Sequence, residues 1–113
     1  MIVLIKGIKY KVKVLNKEKY IKLHKNDSLA HVNREEREIL FRDDHVKKNI
    51  VIHEVTHAFI NSIHLGSCNE LTLEDFEEII CEMMEDHLMD INKVSNEILK
   101  FLKEQSEDKW FLY

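Results

Sequence analysis

Ile50-Val51-Ile52-His53-Glu54-Val55-Thr56-His57-Ala58-Phe59-Ile60 decides how this chain is read. The stretch is apolar around three ionisable residues. Nothing from His45 to Leu65 breaks a helix, and Gly66 stands where a C′ glycine belongs. Asp43 and Asp44 predict an N-cap and first-turn negative charge ahead of it. Positions i and i+4 of a helix project from one face, so His53 and His57 stand one turn apart on the same side.

Upstream of this helix the pattern changes to period two. Ile2–Ile5 is a short apolar run, followed by the turn residue Gly7. Ile8, Tyr10, Val12 and Val14 alternate with Lys9, Lys11 and Lys13, which predicts a half-buried strand with one apolar and one lysine face. Residues 16–27 suit either a short strand or a turn of helix. Leu29–Val32 and Glu38–Arg42 flank the polar Asn33–Arg37 and predict a hairpin. Three or four antiparallel strands are expected here.

Downstream, Thr72-Leu-Glu-Asp75 has the form of a capping box, with Asp in place of the usual Glu. The helix it opens carries Phe76, Ile80, Met83 and His87 on one side. No Gly or Pro separates it from Ile91, Val94, Ile98 and Leu102, so it either runs on to about residue 105 or breaks near Asp90. Trp110–Tyr113 is an apolar tail expected to pack back or to meet a partner.

These readings combine into one α+β domain over residues 1–113: a small N-terminal antiparallel sheet, the HExxH helix, and one or two further helices. The composition agrees. With 113 residues the chain suits one domain with one core. Two glycines and no proline disfavour an all-β protein, which needs many tight turns. Two cysteines without a CxxC exclude a disulfide scaffold. The apolar start ends at Lys6, too short for a signal sequence or a membrane span, so a cytoplasmic protein is expected.

The net charge of −4 hides a polarity. Residues 1–25 hold eight lysines against Glu18, whereas residues 70–90 hold nine acids and no Lys or Arg. A solvated basic surface beside an acidic helix accounts for both, without direct nucleic-acid binding.

Two imidazoles one helical turn apart can share one Zn²⁺ at about 2.0–2.1 Å. A Glu following the first His lies beside the metal without binding it. There it can take a proton from water and pass it to a leaving amine. The motif therefore makes His53 and His57 candidate metal ligands and Glu54 the candidate general base. An open catalytic zinc needs a third protein ligand. A third His six residues beyond the second is missing, because Ile63 stands there and His64 comes one residue late. The next helix offers Glu74, Glu77, Glu78 and Glu82 instead, of which Glu77 borders the apolar stripe.

A lysine-rich sheet, then His53-Glu-Val-Thr-His57-Ala-Phe, then a helix with Glu78-Ile-Ile-Cys-Glu82 resembles the small zincins of phages and mobile elements. These are relatives of the ImmA/IrrE-type metallopeptidases within the gluzincins. The resemblance covers roughly residues 1–90. It implies a zinc metallopeptidase with His53, His57 and Glu78 as ligands and Glu54 as general base. The gluzincin spacing, with an acid four residues after the ligand, favours Glu78 and leaves Glu82 to orient a ligand. A protein substrate is implied, such as a DNA-binding regulator. So is an edge strand that pairs with it, for which Glu38–Arg42 is the candidate. His64, His87, Tyr20 and Tyr113 are the available oxyanion stabilisers. The rival expectation is a non-catalytic binding module that sequesters a regulatory protein or nucleic acid through the lysine-rich segment and the Trp110–Tyr113 tail.

Overall fold

The computed structural model describes residues 1–24, 28–44, 46–62 and 72–105. The tail Trp110–Tyr113, His45, His64, Gly66 and Cys68 lie outside that set. The chain runs β1 (Ile2–Ile5), β2 (Ile8–Leu15), α1 (Lys17–His24), β3 (Ala30–Asn33), β4 (Glu38–Arg42), α2 (Lys48–Ser62), α3 (Leu73–Glu82), a π-helical turn (Met83–His87) and α4 (Leu88–Gln105).

The period-two segment folds as its pattern predicts. Tyr10 and Val12 are buried while Lys9, Lys11 and Lys13 are exposed. Lys6 (φ 51°) and Gly7 (φ 79°) form a two-residue turn that brings Ile5 opposite Ile8. Positive φ at both positions matches the right-handed twist of the paired strands. The Ala30–Asn33 and Glu38–Arg42 hairpin is also present, with Val32 opposite Ile39.

The sheet is mixed, not wholly antiparallel. Its order is β1-β2-β4-β3, and β2 runs parallel to β4 with Val12 beside Ile39. The reason is connectivity. Residues 16–37 form a crossover that carries α1 and β3, long enough to return the chain in the same direction as β2. The ambiguous segment after Leu15 is helical because the crossover needs a compact element. Its Tyr20 is fully buried.

Neighbours in register share a face. Val3, Tyr10, Val12, Ile39 and Phe41 form the inner surface of the sheet, and Val51, Val55, Phe59, Ile91, Val94 and Ile98 complete one apolar cluster against it. β4 is buried on both faces, as suits a central strand. On α2 the buried positions are Val51, Glu54, Val55, Ala58 and Phe59, the i, i+3, i+4, i+7, i+8 stripe of a core-facing helix.

Helix α2 starts at Lys48, later than expected, and neither Asp43 nor Asp44 caps it. Asp44 instead takes two bonds from Arg42, at 2.6 Å (Nε) and 3.1 Å (Nη2). A buried guanidinium at the end of a central strand needs a carboxylate more than the helix start does. The capping box of α3 forms as read. Thr72 Oγ1 accepts from the Asp75 amide at 3.1 Å, and Asp75 accepts from the Thr72 amide at 2.8 Å.

From Leu73 to Gln105 the chain is helical without a break. The buried positions Met83, His87, Ile91, Val94, Ile98 and Leu102 recur about every 3.8 residues, above the α-helical 3.6. One wide π turn absorbs the excess and keeps the stripe facing α2 and β1. The stripe predicted for α3 is buried only from Met83 onward. Phe76 and Ile80 are 48% and 61% exposed, and α3 buries none of its residues. No described helix is long and apolar enough to cross a membrane.

Candidate metal centre and cleft

His53 and His57 project from α2 toward solvent, and their Nε2 atoms are 3.1 Å apart. The rings meet edge to face, with centroids 4.7 Å apart and planes at 76°. The imidazoles are thus more open than their apolar sequence neighbours suggest. The buried member of the motif is Glu54, only 7% exposed. It occupies a core-stripe position while the histidines lie on the solvent side of the helix.

This geometry fits a shared ion. Two ligands on a tetrahedral Zn²⁺ at about 2.05 Å lie about 3.3 Å apart. Without a metal, one ring must donate to the other, because two bare nitrogen lone pairs at this distance repel. Burial, His53 and Arg34 together hold the His57 pKa below its ordinary 6.5, with burial the largest cause. The neutral, metal-binding form of the ring is thereby favoured. Burial raises the Glu54 carboxyl above its ordinary 4.5, and His53 only partly opposes it. A carboxyl held reluctant to ionise is what a proton shuttle requires.

The pair opens onto a cleft between α2 and β3. One recess is lined by Ala30, His31, Val32, Arg34, Glu54, His57 and Asn61. The adjoining recess is lined by Ser28, Leu29, Asn49, Ile50 and His53. Ala30 and Glu54 border both, so Glu54 sits where the two meet.

The strand flanking this cleft is β3, not Glu38–Arg42. β4 is paired on both sides and has no free edge to offer, whereas β3 is the outer strand beside α2. The expectation failed because edge and centre depend on the parallel crossover, which local pattern does not reveal. Arg34, at the end of β3, was missed for the same reason.

Of the proposed oxyanion stabilisers, His64 and Tyr113 fall outside the described residues. Tyr20 lies within electrostatic reach of Glu54 and shares a 2.9 Å hydrogen bond with Ser28 Oγ. Burial is the main cause of its raised pKa. His87 packs against Phe59, ring centroids 5.8 Å apart. Phe59 is two residues past His57, about 200° round the helix, so His87 lies away from the cleft.

Glu78 is exposed on α3, as are Glu74 and Glu77. Helix α3 contacts chiefly the π turn, not α2. Among the described residues, the group of three His, Cys, Asp or Glu with ligand atoms within 4.8 Å of one another is Glu82, Asp86 and His87. It contains neither histidine of the motif and not Glu78. Cys81 is an exposed free thiol. Comparison with family models, curated proteins and solved structures returns no match to this chain.

Proposed function

We propose that the chain is a cytoplasmic zinc-dependent peptidase that cleaves an extended segment of a specific protein, such as a DNA-binding regulator. One observation carries the reading: a histidine pair at ligand spacing, with a buried carboxylic acid beside it, lining a cleft flanked by the outer strand of the described sheet. When bound, the zinc would supply a Lewis acid for the scissile carbonyl and a more acidic water.

In this reading His53 and His57 hold the metal through Nε2. Glu54 accepts a proton from the attacking water and delivers it to the leaving amine. Its burial supports both halves of the task, because a raised pKa eases protonation and the carboxyl stays close to the reacting centre. Substrate would align against the outer edge of β3, where main-chain groups supply register. Arg34 would meet it at the His57 end of the cleft. Glu78 remains the third ligand of this proposal. In the structure it is exposed on α3 and is not grouped with the pair.

Metal analysis with peptide-library cleavage tests this. Zinc-loaded protein should hold one more equivalent of zinc than the His53→Ala/His57→Ala variant, the difference being the ion held through His53 and His57. Glu54→Gln should keep the zinc and lose cleavage by about 10²–10⁴-fold. Zinc content unaffected by removal of both histidines refutes the site.

A further inference from the structure

The π turn after α3 assembles a second constellation of donors. In an α-helix, Glu82 and His87 would point about 140° apart. The i→i+5 bonding of the π turn stacks positions five apart, so Glu82, Asp86 and His87 converge on one side. Their ligand atoms all lie within 4.8 Å of one another.

The histidine points to a ligand independently of the acids. Its side chain is nine-tenths buried, wedged against Phe59, and its Nε2 has no hydrogen-bond partner. A buried polar atom left unmatched is costly. Nε2 faces Glu82 Oε1 at 3.8 Å, too far for a hydrogen bond. That gap is near the roughly 3.3 Å between two ligands of one zinc-sized ion. Two carboxylates and a neutral imidazole carry two negative charges, which a divalent cation neutralises. The imidazole selects a transition metal over Mg²⁺ or Ca²⁺. Glu82 is half-buried and Asp86 exposed, leaving an open side for water.

We propose that Glu82, Asp86 and His87 form a second metal site, for a divalent transition-metal ion, that clamps the π turn joining α3 to α4. The site lies away from the cleft and does not depend on the peptidase reading. Binding there holds the turn that keeps Met83 and His87 in phase with the α4 stripe.

The test uses full-length, metal-stripped protein carrying His53→Ala and His57→Ala, titrated with zinc chloride by calorimetry. One equivalent should still bind, and the His87 ring nitrogens should shift in ¹⁵N spectra. Glu82→Gln and Asp86→Asn, made at positions that still reach solvent, should each weaken binding about tenfold or more. Circular dichroism checks that the fold is intact. Absence of binding in the double-histidine protein overturns the proposal, because Nε2 is then merely orphaned beside Glu82. Binding that ignores both carboxylate changes overturns it too, because zinc is then held elsewhere on the acidic surface. Neither failure bears on the His53/His57 site, which this protein lacks.

Discussion

Replacing Glu54 by Gln should make the metal-free protein more stable while removing its proposed chemistry. The side chain is 7% exposed, and burial is the main cause of its raised pKa. Gln has nearly the same shape, so it fits the buried position that Glu54 holds on the α2 stripe. What changes is the charge. A buried charged group lacking a full set of partners costs about 1–3 kcal/mol or more. The amide that replaces it is also desolvated, which leaves a net gain of about 1–2 kcal/mol.

For 113 residues the unfolding entropy is about 0.24 kcal/mol/K, so the melting temperature should rise by about 4–8 °C at pH 7. The pH dependence carries the sign. A Glu with a raised folded pKa binds more protons folded than unfolded. The wild-type protein is therefore favoured below 4.5 and loses that advantage as pH rises through the folded value. The gain from Gln should be absent at pH 4 and develop above it. Calorimetric melts of both proteins with chelator, at pH 4 and pH 7, measure this. A Gln variant less stable than wild type at pH 7, or a gain that ignores pH, refutes the account of Glu54 as a desolvated carboxyl.

Asp44→Ala should destabilise the fold by about 2 kcal/mol in urea melts. It strips the buried Arg42 guanidinium of a two-bond partner, and the loss falls short of a fully buried pair because Asp44 is 34% exposed. An effect below about 0.5 kcal/mol would mean that Arg42 is satisfied by other groups. Asp75 should titrate below its ordinary 3.8, because the Thr72 amide and then the Thr72 side chain bond its carboxylate. Its contribution to the start of α3 is present above pH 3.8 and disappears as pH falls through the lowered value. Carboxyl ¹³C shifts measure it, and a midpoint at or above 3.8 would contradict the capping box.

The elements legible in the sequence are those whose cause is local. The alternation of Tyr10 and Val12 with three lysines is a surface pattern that any half-buried strand must carry. The two-residue turn at Lys6-Gly7 and the capping box at Thr72 depend on residues within three positions of one another. The spacing of His53 and His57 is likewise a property of one helix, so their apposition at 3.1 Å follows from α2 alone. The burial of Glu54 was half legible, because it falls on the stripe with Val51, Val55 and Ala58.

The cleft's other wall could not be read that way. β3 became the edge strand because the crossover through α1 laid β4 parallel to β2, and strand order is set by which faces bury together. Asp44 left the helix start because Arg42, four residues before Val46, was driven inside with its strand. The grouping of Glu82, Asp86 and His87 required a π turn, whose trigger is the phase of a stripe pressed against α2 and β1. The sequence by itself thus determined the helix, the histidine pair and the general-base candidate. The tertiary structure alone decided which strand faces them and which acids stand near one another, because distant segments meet only where their apolar faces are buried.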